Sequence, residues 1–311
     1  MTESDVPSPA LLRRVDALAE GFSDAELARM VRRRELLRVR RGAYVRDAAE
    51  LPTDRAARHW LSVVATVAAL RTPAIVSHTS AAALHGQPLW GVRLDRVHVL
   101  RRPPAAGSGS ARVHLHVAQV PDDQVTWVQG VLTTDVTRTV VDVARCESFE
   151  AAVVTADGAL ASRRTTASGL TKCLEAMGPV PGTRRAARAL AFADGLSGSV
   201  GESRSRVLMH RLGLPRPDLQ VRVLRPDRSL VGRCDFGWRE HRTLGEFDGR
   251  VKYGRLVRPG QEPRDVVFAE KLREDELRDL QWRVVRWTWD DLQDGAVIGG
   301  RLRRAFAGSR R

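Results

Sequence analysis

The chain has 311 residues, of which 43% are apolar and 28% are charged. This composition is close to that of ordinary folded domains and excludes wholesale disorder, and the length suggests roughly two domains with room for a third. Basic residues outnumber acidic ones 51 to 37, and the resulting net charge of +14 favours a polyanionic partner. Because only three of the basic residues are lysines, each lysine is more informative than a typical arginine.

The cysteines and the hydropathy pattern bound the cellular setting. Cys146, Cys173 and Cys234 lie far apart without a C-x-x-C pair, which argues against a disulfide framework and a cysteine-rich zinc site. The acidic, polar start lacks the features of a secretory signal. The most apolar stretch, residues 61–70, is about half as long as a membrane span requires. We therefore expect a cytoplasmic protein with no membrane partner.

The first segment, residues 8–46, is helical and then strongly basic. Ser23 and Glu26 form an S-x-x-E capping box that predicts a helix start. The run from Leu36 to Val45 predicts a short two-stranded ribbon that turns near Gly42. A helix followed by a turn and a basic ribbon is typical of a winged helix-turn-helix domain, which we predict over residues 8–46.

Arginines concentrate in this segment. Between Arg29 and Arg46 there are eight arginines against one acid, Glu35, a local surplus of 8 − 1 = +7. In a winged helix, one helix enters the major groove while arginines of the wing lie along phosphates. The alternative is a solvated charged face in an arginine-rich chain. The candidate DNA-binding residues are Arg29, Arg32, Arg33, Arg34, Arg38, Arg40 and Arg41.

The second segment, residues 55–196, alternates helical and strand patterns and predicts a helical α/β domain without a chemistry of its own. Apolar periodicity predicts helices over 54–70, 79–85, 134–145, 149–161, 168–177 and 183–195. Strands are predicted over 96–100 and 113–118.

Four histidines of this segment receive a structural interpretation. His78 and His85 could share a helix face, but no third metal ligand stands near them in the sequence, and His114 and His116 alternate on a predicted strand. We interpret them as surface or hydrogen-bonded side chains.

The third segment, residues 197–300, predicts an α/β domain. Its predicted elements are a helix over 201–212, strands over 219–224, 231–238 and 243–248, a helix over 263–280 and a strand over 282–289. Trp282, Trp287 and Trp289 could stack on bases, but their pattern favours packing between sheet and helix.

A hairpin in this segment brings two acids together. If Arg239–Arg242 is the turn, opposed residues have numbers that sum to 481, so Asp235 faces Glu246 at a Cβ separation of about 4.5–5.5 Å. Arg233 and Asp248 then share their face. Opposed carboxylates repel unless a cation or a shared proton compensates, and a divalent ion bound by oxygens is an economical solution. The alternative is an exposed hairpin with Arg233 as the counter-ion.

Four ordered motifs carry a resemblance over residues 197–300. They are Gly201-Glu-Ser-Arg-Ser-Arg-Val-Leu with Gly213-Leu-Pro-Arg-Pro, Cys234-Asp-Phe, Leu244-Gly-Glu-Phe-Asp-Gly, and the run from Leu280 to Leu292. This region resembles a PD-(D/E)XK nuclease-like domain, related to very-short-patch repair endonucleases. The resemblance implies a restriction-endonuclease-like α/β domain with a mixed central sheet.

The nuclease resemblance also implies roles for individual acids. Asp235 and Glu246 would be Mg²⁺ ligands, and Glu202 would orient a water or complete the metal shell. The ion would activate water and stabilise charge on the scissile phosphate.

One position departs from the nuclease pattern. The E-x-K motif appears as Glu246-Phe-Asp248, so a carboxylate stands where the family has lysine. Lys252 or Lys271 could supply the missing ammonium, with exposed surface lysines as the alternative. Either the lysine has moved to another element or the site is weakened.

A second resemblance concerns the N-terminal half. Residues 8–46, and more loosely the region to about 160 with the run from Ser77 to Gly86, resemble the winged-helix and following domain of abortive-infection type IV antitoxins. It implies a winged helix that binds DNA.

These expectations combine into a leading function and two alternatives. The leading hypothesis is a protein that binds duplex DNA and carries a Mg²⁺-dependent endonuclease-like domain. The main alternative is a non-enzymatic, antitoxin-like transcriptional regulator with a degenerate nuclease fold, favoured by Asp248. The third is a general RNA-binding or nucleic-acid-binding protein. The sequence leaves a homodimer open and identifies no partner toxin.

Overall fold

The computed structural model describes residues 11–46, 54–105, 110–249 and 263–308, apart from the side chains of 263–270. This part of the chain contains eleven helices and three sheets, and it confirms the α/β class. The helices are α1 Arg14–Ala19, α2 Asp24–Arg32, α3 Arg55–Val67, α4 His78–Leu84, α5 Val136–Cys146, α6 Phe149–Ala161, α7 Ala167–Ala176, α8 Thr183–Phe192, α9 Val200–Arg211, α10 Pro263–Asp279 and α11 Gly295–Ala307. The strands are β1 Leu12–Arg13, β2 Leu37–Arg40, β3 Ala43–Val45, β4 Ile75–Val76, β5 Val97–Arg101, β6 Val113–Val117, β7 Val125–Val128, β8 Val131–Thr134, β9 Asp218–Leu224, β10 Leu230–Trp238, β11 Thr243–Asp248 and β12 Arg283–Thr288.

The chain divides into two compact units. The first comprises Met1–Thr155 and Arg164–Leu190, and the second comprises Ala156–Arg163 and Ala191–Arg311. The first unit therefore takes in both the predicted winged helix and most of the predicted middle domain. In the part of the chain that the structure describes, no helix is both long enough and apolar enough to span a bilayer.

The N-terminal element is a small sheet with two helices. The strands lie in the order β1-β3-β2, and β2 and β3 form the predicted hairpin, with Gly42 in its turn at a φ of 80°. The predicted capping box is confirmed, because Ser23 accepts from the Glu26 backbone N–H and Glu26 accepts from that of Ser23. Leu27 and Leu36 are buried and anchor a local apolar core.

The middle sheet has five strands in the order β6-β5-β4-β8-β7. It is mixed: β5 pairs parallel with β6 and antiparallel with β4. Helices α3 and α4 follow the predicted helical patterns, and α3 begins at an Asp54 cap that accepts from the Ala57 backbone N–H at 2.8 Å. Apolar side chains such as Val63, Val76 and Val99 form the core of this sheet.

The C-terminal sheet has the order β12-β11-β10-β9. Strands β9, β10 and β11 form an antiparallel meander, and β12 pairs parallel with β11 after the α10 crossover, so the predicted mixed sheet is present. Each face carries an apolar cluster, one around Phe236 and Trp287 and the other around Cys234 and Leu244. A Cβ at Gly201 would lie 1.9 Å from the Phe247 ring, so only glycine lets α9 pack this closely against β11.

Candidate functional site

The predicted DNA-binding arginines surround the end of α2 and the β2–β3 hairpin. Arg29 and Arg32 lie in the last turn of α2, and Arg33 follows as its C-cap. Those that are exposed are Arg29, Arg32, Arg33, Arg34, Arg38 and Arg41. Arg40 differs: it is half-buried, its Nη1 donates to the Ala65 carbonyl at 3.4 Å, and burial lowers its pKa. We call the exposed arginines at the end of α2 and on the β2–β3 hairpin the basic face, and Arg40 is not part of it.

The arginines of this basic face fall into two groups, those that form an ion pair and those that do not. Glu26 lies 3.7 Å from Arg29, and Glu35 lies 3.9 Å from Arg33. Within the part of the chain that the structure describes, no acidic side chain pairs with the remaining members of the face, which are Arg32, Arg34, Arg38 and Arg41. We call these four the unpaired arginines.

The predicted hairpin register is confirmed from the turn to Phe236, and the predicted pair of Asp235 with Glu246 lies one residue beyond the last observed pair. The observed pairs Phe236↔Gly245, Gly237↔Leu244 and Trp238↔Thr243 all sum to 481. Asp235, which directly precedes Phe236, is half-buried. Its Oδ2 accepts a hydrogen bond from the Phe247 backbone N–H at 2.9 Å. This carboxylate therefore ties β10 to β11 at the residue that follows Glu246.

Glu246 is held by two arginines that the sequence argument did not single out. Its Oε1 accepts from Arg273 Nη2 of α10 at 2.8 Å, and its Oε2 accepts from Arg286 Nε of β12 at 3.0 Å. Burial acts to raise the pKa of Glu246, but the two guanidinium groups outweigh it and lower the pKa below its ordinary value. Both oxygens of this carboxylate thus have a cationic partner.

Glu202 lies in the first turn of α9 and is buried. Its carboxylate accepts from the Gly198 backbone N–H at 2.8 Å, from the Ser199 hydroxyl at 2.8 Å and from Gln220 Nε2 at 2.9 Å. Three donors of this kind satisfy a carboxylate at a helix N-terminus, where negative charge is stabilised. Gly198 and Ser199 belong to the N-terminal end of α9 and Gln220 belongs to β9, so Glu202 caps its own helix and also bonds to the sheet.

The remaining predicted groups are Asp248, Lys271, Lys252 and Arg233. Asp248 ends β11 opposite Thr288, and Lys271 is exposed on α10. Lys252 lies outside the described residues. Arg233, the alternative counter-ion, is exposed, and its place beside Glu246 is taken by Arg273 and Arg286.

The donor set around Glu246 does not fit a divalent cation as it stands. The case for Mg²⁺ rested on two opposed carboxylates that lack compensation, and Arg273 and Arg286 already compensate Glu246. Among the described residues, the predicted acids also form no group of three whose ligand atoms lie within 4.8 Å of one another.

The tryptophans occupy the C-terminal core, as their pattern favoured. Trp287 is 1% exposed and donates from Nε1 to Ser205 Oγ at 2.8 Å. Trp282 is buried in the cluster on the opposite face of the sheet, and Trp289 packs its ring edge-on against Phe247.

The four histidines are exposed or hydrogen-bonded, as interpreted from the sequence, but the structure adds a grouping that the sequence did not show. His85 is hydrogen-bonded, with Nε2 at 2.7 Å from the Thr134 carbonyl, and His114 is exposed, as expected. His78, however, lies beside His98 and His116, and one ring nitrogen from each lies within 4.8 Å of the others. The sequence offers no spacing signal for this group, because its members come from α4, β5 and β6 and meet only in the fold.

These three histidines are neutral at physiological pH. Burial lowers the pKa of His98 to about 4 and that of His116 to about 3. Burial also lowers the pKa of His78 well below its ordinary value. The rings therefore meet without mutual charge repulsion.

Comparisons with known proteins leave the function open. No protein-family model matches the chain. The uncharacterized proteins MT2308 and Rv2248 of two Mycobacterium tuberculosis strains, CDC 1551 / Oshkosh and ATCC 25618 / H37Rv, are each 31% identical over 181 residues. This match covers 58% of the chain and 64% of each relative, so the chain matches less than two thirds of the relatives' length. The crystal structure of the RV2827C protein from Mycobacterium tuberculosis is 14% identical, with a TM-score of 0.39 over 71% of this chain and 85% of that one.

Proposed function

We propose that the protein binds duplex DNA through the basic face of residues 11–46. The observation that carries this proposal is the set of four unpaired arginines, which surrounds the end of α2 and the β2–β3 hairpin. A helix end suits insertion into the major groove, and an arginine-bearing hairpin suits contact with phosphates. None of the four pairs with an acid among the residues that the structure describes, so no ion pair with those acids has to break when they meet a phosphate. A cytoplasmic location belongs to the same proposal.

Salt dependence tests the role of the unpaired arginines. We expect Arg32→Ala and Arg38→Ala each to weaken duplex binding and to reduce the slope of log affinity against log salt by about 0.9 if one phosphate contact is lost. The measurement is fluorescence anisotropy of a labelled duplex over a range of salt concentrations.

A matched control lies in the same small domain. Arg13 is ion-paired with Asp16, so Arg13→Ala should leave the slope close to that of the wild type. Equal slopes in the wild type and both test variants would contradict the proposed face. Displacement of duplex by single-stranded RNA at equal mass would favour the general nucleic-acid-binding alternative.

For the C-terminal unit we propose a nuclease-like domain that contacts DNA without hydrolysing it, which makes the protein an antitoxin-like regulator. The observation that favours this reading is the pair of guanidinium groups on Glu246. Asp248 in place of the motif lysine supports it further. The domain would then act as a DNA-binding or partner-binding body.

Mg²⁺-dependent hydrolysis of DNA by the same domain is the second candidate. It is favoured by the hairpin register, because Asp235 and Glu246 are the next residues on neighbouring strands beyond the observed pair Phe236↔Gly245. The order of helix, antiparallel meander, helix and parallel strand also agrees with the endonuclease-like domain that the sequence motifs imply.

Nicking of supercoiled plasmid separates the two candidates. Purified wild-type protein and the Asp235→Ala/Glu246→Ala variant are incubated with Mg²⁺ or Mn²⁺, and duplex binding is followed in parallel by gel shift. We expect no cleavage by either protein and a gel shift that persists in the variant. Cleavage by the wild type alone would overturn the regulator and establish the nuclease.

A further inference from the structure

Four of the chain's eight histidines gather on the middle sheet, in a region to which the proposed DNA binding assigns no role. They are His78, His98, His114 and His116. His98 and His114 are paired residues of the parallel strands β5 and β6. Because side chains alternate along a strand, His116 lies on the same face, two residues beyond His114. Two neighbouring strands thus place three imidazoles side by side.

His78 reaches this face through an unusual backbone conformation. The Ser77 N–H donates to the His98 carbonyl at 3.1 Å, which continues the β4–β5 pairing by one residue. At His78 the chain adopts a left-handed φ of 52° and enters α4. Non-glycine residues rarely adopt this region, and such outliers cluster at functional sites.

One nitrogen of each of the three rings lies within 4.8 Å of the other two. Ser77 Oγ lies 2.9 Å from His78 Nδ1, so Nε2 is the nitrogen of His78 left for a ligand. His98 Nδ1 and His116 Nε2 lie 2.9 Å apart. Zinc–imidazole bonds of 2.0–2.1 Å in tetrahedral geometry place ligand nitrogens about 3.3 Å apart. His98 Nδ1 and His116 Nε2 therefore need to move apart only slightly to hold an ion between them.

We propose that His78, His98 and His116 bind a divalent transition-metal ion of the zinc type, with a fourth coordination position open to water or an anion. Imidazole suits Zn²⁺, Cu²⁺ and Ni²⁺, whereas Mg²⁺ and Ca²⁺ prefer oxygen. The Ser77 hydroxyl takes the part of the outer partner that commonly fixes the orientation of a ligating histidine.

One ring must turn when the ion binds. The rings of His78 and His116 are stacked, with centroids 3.6 Å apart and planes 13° apart. An ion lies in the plane of each ligating ring, so one of the two stacked rings tilts out of the stack before both direct a nitrogen to the centre. Metal binding therefore breaks this stack.

Two arginines near His78 share one buried carboxylate. Arg138 and Arg145 act on His78 electrostatically. Both pair with the buried carboxylate of Asp142, at 3.0 Å and 3.2 Å. Their charge is thus partly cancelled before it reaches the site.

The test is titration of the untagged full-length protein with ZnCl₂, followed by calorimetry and by thermal unfolding. We expect one ion per chain and a melting temperature that rises with Zn²⁺ by mass action. His116→Ala and His98→Ala should each weaken binding by more than about 100-fold, and Ser77→Ala by about 10- to 100-fold. Co²⁺ provides a second readout, because its visible absorption strengthens when it passes from six-coordinate in water to four-coordinate at a site of this kind.

The neighbouring His114 supplies the matched control. His114 is exposed, stacks on His116 at a centroid distance of 4.2 Å and lies outside the group of three. His114→Ala should therefore retain Zn²⁺ binding. Absence of binding in the wild type, or equal binding in the wild type and a folded His98→Ala/His116→Ala variant, would overturn the site. Circular dichroism without metal verifies that each variant is folded.

Discussion

Arginines serve opposite purposes in the N-terminal element and in the C-terminal unit. The four unpaired arginines of the N-terminal element are exposed and have no acidic partner among the described residues. In the C-terminal unit, the informative arginines are Arg206, Arg273 and Arg286, and each is paired with an acid at 3.0 Å or less. Net charge is therefore informative about partners only where the arginines are not already used within the fold.

The largest effect should follow from breaking the most buried pair. Arg206 and Asp157 are 4% and 1% exposed and lie 2.7 Å apart, and Arg206 also donates to the Phe192 carbonyl at 2.6 Å. Burial raises the pKa of Asp157, and Arg206 opposes that rise. Arg206→Met leaves a buried carboxylate without its cation, so we expect the free energy of unfolding to fall by about 3–5 kcal/mol in urea denaturation.

A double variant separates the charge effect from lost packing. Asp157→Asn keeps an acceptor for the Asp194 backbone N–H, which donates to Oδ1 at 2.7 Å, and it removes the charge. Arg206→Met/Asp157→Asn should therefore recover most of the lost stability, because replacing both charges of a buried pair is close to neutral. Equal losses in the single and double variants would show that the charge is not the cause.

A smaller, pH-dependent effect is expected at Glu246. Its pKa is lowered in the folded state, so it contributes stability that is present above its unfolded pKa of about 4.3 and is lost as the pH falls through the folded pKa. Arg273→Met removes one charged hydrogen bond, which should cost about 1.5–3 kcal/mol at pH 7. Because the pKa of Glu246 then rises, the variant should lose less stability than the wild type between pH 7 and pH 3.

The control for this prediction lies on the same helix. Arg278 is 62% exposed and pairs with Glu274 and Asp275 on the surface of α10, so Arg278→Met should cost less than about 1 kcal/mol at pH 7. Urea denaturation at pH 7 and pH 3 gives all the values. If the two variants and the wild type lose equal stability on acidification, Glu246 is not the responsible carboxylate.

Local patterns predicted most of the fold. Predicted helix 149–161 coincides with α6, and strand 243–248 coincides with β11. The β7–β8 hairpin was missed although its signal is present: Gln129 and Gly130 form a two-residue turn with φ of 48° and 75° between strand-forming runs. The two-residue strand β4 is too short to carry a pattern.

The chemistry of the candidate sites was less accessible to sequence reasoning. The hairpin register could be counted from a turn, because antiparallel strands fix each pair by the sum of their numbers. The partners of Glu246 could not, because Arg273 and Arg286 come from α10 and β12 and any exposed arginine has the same local signature. The group of His78, His98 and His116 has the same origin, since three separate elements contribute one ligand each.

At Arg34, one of the unpaired arginines, we expect folding stability and duplex binding to favour different residues. Arg34 follows the C-cap of α2 with a φ of 62°, a position where glycine is usual and where a side chain is strained by about 1–2 kcal/mol. Arg34→Gly relieves that strain, partly offset by the greater freedom of glycine in the unfolded chain, so stability should rise by up to about 1 kcal/mol. Arg29→Gly, within α2, should instead lower stability by about 1 kcal/mol.

If Arg34 contacts phosphate, the more stable variant should bind duplex more weakly and lose about 0.9 of the salt slope. Tighter binding by Arg34→Gly would place this arginine outside the DNA-binding face.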